Sequence, residues 1–231
     1  MIIYDEYIKF KKGTDVKLNN KICYVFGAGE YYNETIVPED ESLIIAADGG
    51  YSFLMNKGIE PDIVVGDFDS IGLIPEHKNV IKLNPIKDET DTYRAIKMGL
   101  EQGYSTFHIY GGTGGRSSHT FANIQTLLML SKNNAQGFLY GNNEVMTVIS
   151  NNRINFSTDS EGYVSIFSLS TNCFGVDESG LKYLLDDYTL TNDYPIGVSN
   201  EFVGKESCIA VKNGSLLIIF SNKAKIIDKY K

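Results

Sequence analysis

The sequence predicts an α/β protein: a mostly parallel, Rossmann-like three-layer domain followed by an antiparallel β-sandwich domain. Two observations predict this class. Up to about residue 142, apolar runs alternate with segments of helical period, which is typical of βαβ crossovers and a parallel sheet. After it, short apolar runs are separated by Asn, Asp, Ser and Gly, which favours antiparallel strands. The predicted domains are therefore residues 1–142 and 143–231.

The first domain contains six apolar runs that we predict as strands: Ile22–Phe26, Leu43–Ala47, Ile63–Val65, Val80–Leu83, Phe107–Tyr110 and Gly137–Tyr140. Three segments between them are predicted as helices. One is Tyr51–Lys57, closed by Gly58, and the other two carry apolar stripes at helical spacing. These stripes are Tyr93, Ile96 and Leu100, followed by Gly103, and then Phe121, Ile124 and Leu128.

The second domain contains four further runs that we predict as strands: Val145–Ile149, Tyr163–Leu169, Cys208–Val211 and Leu216–Phe220. Asn213-Gly214 separates the last two runs. Because this dipeptide favours the tight turn of a two-residue hairpin, we expect these two strands to pair with each other.

Composition limits the possible partners. The chain has 231 residues, is 42% hydrophobic and carries a formal net charge of −8. Since no broad basic patch is formed, neither a nucleic acid nor an anionic membrane is expected as a partner. A phosphorylated ligand remains compatible with this charge, because a bound divalent cation would invert the local sign.

Cysteine usage and the first residues predict a cytoplasmic protein. Cys23, Cys173 and Cys208 form no CxxC pair, so we expect buried free thiols in a reducing compartment rather than a zinc site or disulfides. Residues 1–10 lack the basic start and apolar run of a signal peptide. No apolar run approaches the ~20 residues of a membrane helix. The sequence predicts no role for residues 1–20.

Two carboxylates follow one of the predicted strands. In Val64-Val65-Gly66-Asp67-Phe68-Asp69-Ser70, an extended backbone would project Asp67 and Asp69 to the same side, roughly 6–7 Å apart. Oxygen ligands of this kind suit Mg²⁺, which completes its shell with water and phosphate oxygens. The alternative is a turn after a strand, where Gly, Asp and Ser are common.

The same pattern recurs along the predicted sheet. Ligands of open parallel sheets bind outside the carboxyl ends of the strands. Five predicted strands deliver acids or glycines there: Gly27-Ala28-Gly29, Asp48-Gly49-Gly50, Asp67 with Asp69, Lys87-Asp88-Glu89-Thr90-Asp91, and Gly111–Arg116. Some members have simpler explanations. Asp88 or Thr90 could be a helix N-cap, and Asp91 is favoured in a first helical turn.

The glycine-rich loop indicates a phosphate site. Gly111-Gly112-Thr113-Gly114-Gly115 precedes a predicted helix, so its N–H groups could approach a phosphate closely. It is not a P-loop, because the Gly-Lys-Ser/Thr ending is absent. On the following helix, Arg116, His119 and Asn123 share a face at helical spacing, which suits contacts to a polyphosphate.

Taken in order, these motifs resemble the bacterial thiamine pyrophosphokinase family over nearly the whole chain. The segments that carry the resemblance are Asp48-Gly49-Gly50, Pro61-Asp62, Val65–Ser70, Lys87–Asp91, Gly111–Arg116, His119 with Asn123, Gly180–Tyr183, Ser199-Asn200-Glu201 and Gly214–Ile218. The resemblance implies a homodimer with active sites at the subunit interface. It also implies transfer of the pyrophosphoryl group of ATP to the hydroxyl of thiamine, releasing AMP.

The resemblance also implies roles for individual residues. Asp48, Asp67, Asp69 and Asp91 would hold Mg²⁺, and the catalytic residues would be Asp67, Asp69, Asp91 and Arg116. ATP would contact Gly49, Gly50, Lys87, Asp88, Thr90, Gly111, Gly112, Gly114, Gly115, Arg116, His119 and Asn123. Thiamine would contact Ser199 and Asn200. Because the chain has no Trp, any aromatic platform for the cationic thiazolium must be Tyr or Phe.

One position departs from the family pattern. The family usually has Asp before the His, whereas Arg116-Ser117-Ser118-His119 has Ser118 there, which removes an expected metal or metal-water ligand. Two other functions therefore stay open. One is a Mg²⁺-dependent nucleotidyl- or glycosyltransferase that uses the Asp-x-Asp pair. The other is a nucleotide-binding module without catalysis.

Overall fold

The structure is a computed structural model that describes residues 21–32, 36–68, 75–84, 86 and 88–228. The predictions made for Asp69 and Lys87, and the question of residues 1–20, fall outside these residues.

Fifteen strands and three helices form in the described part of the chain. The strands are β1 (Ile22–Phe26), β2 (Leu43–Ala47), β3 (Ile63–Gly66), β4 (Val80–Lys82), β5 (Thr106–Tyr110), β6 (Gln136–Tyr140), β7 (Glu144–Ser150), β8 (Arg153–Phe156), β9 (Tyr163–Ser168), β10 (Asn172–Ser179), β11 (Leu185–Thr191), β12 (Asn200–Glu201), β13 (Ser207–Asn213), β14 (Ser215–Ser221) and β15 (Ile226–Asp228). The helices are α1 (Gly50–Lys57), α2 (Asp91–Glu101) and α3 (Ser117–Lys132).

One sheet runs through both halves of the chain. Its ten strands lie in the order β12-β9-β14-β7-β6-β5-β1-β2-β3-β4. The six strands from β6 to β4 are parallel, and β7 joins β6 as an antiparallel neighbour. The hydrogen-bonded ladder therefore continues across the predicted boundary at residues 142 and 143. The two-domain division stays a prediction.

A second, antiparallel sheet covers part of the first. Its order is β11-β10-β13-β8-β15. Its inward residues pack against the antiparallel end of the large sheet, in one buried cluster that includes Ile154 and Ile209 from the small sheet and Val145, Ile166 and Ile218 from the large one. Burial of apolar side chains between the two sheets stabilises this arrangement. The predicted β-sandwich is confirmed.

The parallel end of the large sheet has helices on both faces. Alternating strand residues feed two separate cores, because successive side chains point to opposite faces. Val25 packs with Ile96 of α2 and Leu127 of α3, whereas Phe26 packs with Leu54 of α1. The predicted three-layer α/β architecture is confirmed. No helix in the described ranges has both the length and the apolar character to cross a membrane.

The predicted hairpin at Asn213-Gly214 is wrong. β13 pairs with β10 and β8 in the small sheet, whereas β14 pairs with β7 and β9 in the large sheet. The turn therefore carries the chain from one sheet to the other. Gly214 takes a φ of 121°, and its N–H donates to Oδ1 of Asn151 at 2.8 Å. Non-local strand partners, rather than the turn sequence, decide where β14 pairs.

The predicted stripe of α3 is wrong at Phe121, which is 60% exposed. Ile124 and Leu128 are partly buried and pack against the core as predicted, and the most buried residues of the helix are Asn123, Thr126, Leu127 and Leu130. A buried asparagine and threonine on this face have no counterpart in the apolar pattern from which the helix was predicted.

Candidate active site

The strand order creates a switch point between β1 and β5. From β1 the chain proceeds through β2, β3 and β4 on one side, and β5 then pairs with the other side of β1. Such a point, at the carboxyl ends of the strands, is where open α/β sheets bind ligands. The loops that follow β1 and β5 continue to pair: the N–H of Gly27 donates to the carbonyl of Tyr110 at 2.8 Å, and that of Gly29 to Gly111 at 2.7 Å.

Two of the predicted acids lie at the ends of neighbouring strands. Asp48 directly follows β2, and its N–H donates to the carbonyl of Val65 in β3 at 2.9 Å. Asp67 directly follows β3. A Cβ placed on Gly66 would lie only 3.1 Å from Cα of Asp48, so the two chain segments are in close contact. Both carboxylates are partly exposed at this edge of the sheet.

The third acid lies at the start of a helix that packs over β1. Asp91 opens α2, and Oγ1 of Thr92 lies 3.3 Å from a Cβ placed on Gly27. Thr90 is the N-cap, since its hydroxyl accepts the N–H of Tyr93 at 3.1 Å. The capping explanation therefore holds for Thr90. Asp88, two residues earlier, is exposed.

The extended geometry predicted for Asp67 and Asp69 is wrong at the residue between them. β3 ends at Gly66, and Phe68 has a left-handed φ of 64°. The reason is packing, because the Phe68 side chain is 3% exposed and belongs to the core under α1. A bulky residue at positive φ is a true outlier and costs of order 1–3 kcal/mol. Such strain is concentrated at functional sites in proteins.

Two of the predicted site residues also have a left-handed backbone conformation. Asp48 has a φ of 49° and Ser199 a φ of 59°. Aspartate tolerates the left-handed region better than most residues, whereas a serine there is less common. Positive φ does not by itself mark a site, because five described non-glycine residues outside the predicted site also have it: Glu41, Asn134, Asn143, Asn151 and Asp187.

The glycine-rich loop is partly buried. Gly111 and Gly112 lie inside the protein, where Nδ2 of Asn123 donates to the carbonyl of Gly112 at 2.7 Å. Gly114 and Gly115 have φ values of 74° and 58°, and Gly115 is exposed. Only the second half of the loop therefore offers its backbone to a ligand.

The start of α3 follows this exposed half. No side chain caps the helix, so its first N–H groups form an anion-attracting end. The side chains of Arg116, Ser118 and His119 are exposed here. Asn123 is 4% exposed. Asn123 was predicted to share a helix face with Arg116 and His119 and to contact ATP. The structure buries this asparagine, and its amide holds the glycine loop through the carbonyl of Gly112.

The predicted acids have the ligand atoms that a hard cation prefers, but those that the structure describes do not form a complete metal site. Asp48, Asp67 and Asp91 supply carboxylate oxygens, the ligands that Mg²⁺ prefers. Among the residues that the structure describes, no three His, Cys, Asp or Glu side chains gather as metal ligands. Asp69, the fourth predicted ligand, lies outside the described residues.

The predicted thiamine residues lie at β12, the edge of the large sheet. Ser199 is exposed, and its N–H donates to Oγ of Ser165 at 2.9 Å. Asn200 is 3% exposed, and its amide donates to the carbonyl of Tyr183 at 2.7 Å. Its Oδ1 accepts the N–H groups of Tyr183 and Glu201, both at 2.9 Å. The Asn200 side chain therefore holds a loop rather than facing solvent.

Sequence reasoning missed the aromatic residues beside this edge. Tyr183 and Tyr163 are 60% and 63% exposed. Next to Tyr183 in sequence, Lys182 pairs with Glu201 at 2.5 Å, and its Nζ lies 5.5 Å from the centre of the Tyr183 ring. The chain lacks Trp. The signal that could have found Tyr183 was its place in Gly180-Leu181-Lys182-Tyr183.

The predicted site of one chain has two parts, which we call half-sites: the predicted ATP residues at the carboxyl edge of the parallel strands and the predicted thiamine residues at β12. These two half-sites lie far apart. From β12 to β2 there are seven strand spacings in the order of the large sheet. At ~4.8 Å per spacing, β12 lies about 34 Å along the sheet from β2, which precedes Asp48, and about 24 Å from β5, which precedes the glycine-rich loop. A ligand the size of thiamine cannot contact both half-sites of the same chain.

Known proteins resemble this chain in both halves. The thiamin pyrophosphokinase catalytic-domain family matches residues 36–139, and the thiamin pyrophosphokinase vitamin B1 binding-domain family matches residues 151–218. A curated thiamine pyrophosphokinase of Bacillus subtilis (strain 168) is 28% identical over 191 residues, which are 79% of this chain and 89% of the relative.

Solved structures agree with this assignment. The crystal structure of thiamine pyrophosphokinase from Bacillus subtilis has a TM-score of 0.76 at 26% identity, and the alignment covers 87% of this chain and 99% of that one. The thiamin pyrophosphokinase from Candida albicans shares the fold, with a TM-score of 0.69 at 16% identity over 89% of this chain and 90% of that one. With both domain families matched in order, the chain belongs to the thiamine pyrophosphokinase family.

Proposed function

We propose that this protein is a thiamine diphosphokinase, which transfers the pyrophosphoryl group of ATP to the hydroxyl of thiamine. The thiamine oxygen attacks the β-phosphorus, the bond from that phosphorus to the α–β bridging oxygen breaks, and AMP leaves. The hydroxyl proton passes to a base or to water. The observation that carries the proposal is the presence of a catalytic and a vitamin B1 binding domain of one family, in order, on this chain.

The carboxyl edge of the parallel strands is the ATP half of the proposed site. Asp48, Asp67 and Asp91, together with Asp69, would hold Mg²⁺, which would supply positive charge against the phosphates. Arg116 and the uncapped start of α3 add positive potential for the phosphates and for the departing AMP. Because phosphoryl-transfer transition states tend to be loose, positioning and charge matter more than a strong base.

The β12 edge is the thiamine half. Ser199 offers an exposed hydroxyl, and Tyr183 offers an exposed ring that could stack on a cation. Because at least about 24 Å separates the halves of one chain along the sheet, we propose a homodimer in which each site combines the ATP half of one subunit with the thiamine half of its partner. Its buried free thiols at Cys23 and Cys173 suit the reducing cytoplasm, where we place the enzyme.

A single assay tests the proposed function. The protein is incubated with ATP, Mg²⁺ and thiamine, and the products are separated. Thiamine diphosphate and AMP formed in equal amounts support the proposal. A transferred sugar or nucleotide, tested with nucleotide-sugar donors, would favour the alternative transferase, and tight nucleotide binding without any product would favour a binding module.

The shared site predicts that two inactive variants restore each other. Asp67→Asn damages the ATP half and Ser199→Arg the thiamine half, so each homodimer should have almost no activity. After subunit exchange, half of the dimers are mixed, and each mixed dimer has one intact site of two. We therefore expect about a quarter of wild-type activity in the 1:1 mixture.

The matched control for this experiment mixes Asp67→Asn with Asp48→Asn. Both changes lie in the same half, so no intact site forms and activity should stay at the level of the separate variants. If the Asp67→Asn and Ser199→Arg mixture also stays there while size measurements show mixed dimers, the shared-site proposal is wrong.

Ser118 stands where the family usually has an acid, so we expect this protein to bind Mg²⁺ more weakly than it would with a carboxylate at this position. Ser118→Asp adds a carboxylate at the exposed start of α3 and should lower the Mg²⁺ concentration at half-maximal rate several-fold. The Mg²⁺-dependent rise in melting temperature should shift in the same direction. Ser117→Asp, its exposed neighbour, is the control. Unchanged midpoints for Ser118→Asp would show that this position does not face the metal.

A further inference from the structure

A cavity of about 270 Å³ lies between α2 and α3, and we call it the inter-helix cavity. One wall is formed by residues 88–90 and Tyr93, at the start of α2, and the other by residues of α3 that include Ala122 and Gln125. Pockets for whole drug-sized ligands are typically about 300–1,000 Å³. The inter-helix cavity therefore has the size for one part of a nucleotide rather than for the whole molecule.

The inter-helix cavity lies next to the proposed ATP half. Both helices begin at the carboxyl edge of the parallel strands, because α2 follows β4 and α3 follows β5. Thr90 lines the cavity and caps the helix that starts with Asp91. Gln125 lies ~12 Å of helix beyond Ser117, the first residue of α3. A nucleotide whose phosphates lie at the start of α3 can therefore reach the cavity with its nucleoside part.

The charges of the cavity wall are unsuited to phosphate. Asp88 and Glu89 contribute carboxylates, and none of the described residues that line the cavity is basic. Oε1 of Glu89 lies 3.2 Å from Nζ of Lys97, so part of this negative charge is balanced. Carboxylates accept hydrogen bonds from ribose hydroxyls, as the acidic residue of dinucleotide-binding folds does. The wall therefore suits an uncharged group that carries hydroxyl and amino donors.

Two further side chains favour a nucleobase, and adenine in particular. The half-buried ring of Tyr93 offers a surface on which a flat base can stack. The amide of the exposed Gln125 has a donor and an acceptor side by side. Adenine presents the complementary pair, its N6 amino group beside N7, whereas guanine presents two acceptors on the same edge. The Gln125 amide can therefore make two hydrogen bonds to adenine and only one to guanine.

We propose that the inter-helix cavity binds the nucleoside part of ATP, with Tyr93 and Gln125 as the residues that select adenine. This inference rests on the proposed function, because that function places the phosphates of ATP at the start of α3. Neither residue takes part in the chemical step. Their effect should therefore appear in nucleotide affinity and leave kcat and thiamine binding unchanged.

Two variants test the cavity in different ways. Gln125→Leu removes the amide from an exposed helix position, and Ala122→Leu fills the cavity with a residue that helices tolerate well. For Gln125→Leu we expect the ratio of kcat/KM for ATP to that for GTP to fall about tenfold, because ATP loses one hydrogen bond more than GTP does. For Ala122→Leu we expect the KM for both nucleotides to rise about tenfold, because the filled cavity excludes either base.

The experiment has a matched variant and a matched ligand as controls. Gln102 is an exposed glutamine at the C-cap of α2, outside the residues that line the cavity, so Gln102→Leu should keep the wild-type ratio of ATP to GTP. Inorganic triphosphate carries the phosphates without a nucleoside. Its inhibition constant should be the same in the wild type and in both cavity variants.

Calorimetric titration with ATP and Mg²⁺, without thiamine, gives a readout that needs no turnover. If the wild type forms no thiamine diphosphate, the proposed function is wrong, and a tenfold weaker Kd for ATP in both variants, with an unchanged Kd for inorganic triphosphate, would still support a nucleoside site. An active wild type whose two variants keep the KM and Kd for ATP and the ratio of ATP to GTP would overturn the proposal. A raised KM for thiamine with an unchanged KM for ATP would overturn it as well.

Discussion

Replacing Asp67 by Asn is expected to lower turnover at least ~100-fold while the protein stays folded, because the proposed Mg²⁺ site would lose one of its carboxylate ligands. Asp67 follows β3 at the carboxyl edge and is partly exposed, so the change creates neither a cavity nor a buried unsatisfied group. Product formation over a Mg²⁺ titration measures the effect. A thermal melt within a few degrees of wild type shows that the fold is intact.

Asp62→Asn is the control at the other end of the same strand. Asp62 is exposed just before β3, and its Oδ2 accepts the N–H of Ile44 at 2.9 Å, which an Asn oxygen can also accept. Activity should therefore stay near normal. If Asp67→Asn keeps wild-type AMP release with the same Mg²⁺ midpoint, the carboxyl edge is not the metal site.

The parallel half of the fold could be predicted because its strands are apolar runs. β1 and β2 have the predicted bounds, and β3 extends one residue further, to Gly66. Strands buried on both faces carry this signal in sequence alone. The strand bounds, together with the rule on carboxyl ends, also place Asp48 and Asp67 on one edge, as the structure does.

The sandwich was predicted only in part, because several of its strands are polar. β10 and β11 contain exposed or half-exposed acids, among them Asp177, Asp186 and Asp187, and neither strand was predicted. Their pairing is stabilised by the opposite strands rather than by their own composition. For the same reason the sequence could not show that β13 and β14 belong to different sheets.

The candidate site differs from prediction where polar side chains turn inward. Asn123 and Asn200 were expected to face ligands, and both are buried with their amides bonded to backbone groups. A sequence contains no local signal for this, because the partners come from loops far along the chain.

Glu178, a residue of β10 whose side chain is only 4% exposed, should make the stability of the protein depend on pH. Its pKa is raised from an ordinary value of 4.5 to about 7 in the folded state, chiefly by burial. Between these values the folded chain holds a proton that the unfolded chain has released. The contribution of Glu178 to the free energy of unfolding is therefore fully present below pH 4.5 and is lost as the pH rises to about 7. The shift corresponds to about 3 kcal/mol, to be read as an order of magnitude.

Glu178→Gln removes this titration, since the amide is neutral at every pH. The difference in free energy of unfolding, variant minus wild type, should therefore increase by about 3 kcal/mol between pH 4.5 and 7.5. Above that range the difference should stay constant. Urea unfolding at several pH values measures it, and a melting-temperature gain of roughly 6–12 °C should accompany it.

The exposed Glu161 offers a control for this measurement, because Glu161→Gln also removes one carboxyl without touching the sandwich interior. Only the Glu178→Gln variant should become more stable relative to the wild type as the pH rises. A difference between Glu178→Gln and wild type that is flat from pH 4.5 to 7.5 would mean that the pKa of the Glu178 carboxyl is the same in the folded and the unfolded chain, so that it is ionised in both over this range. In that case the buried position does not hold a proton, and the charge on Glu178 must be compensated within the folded protein.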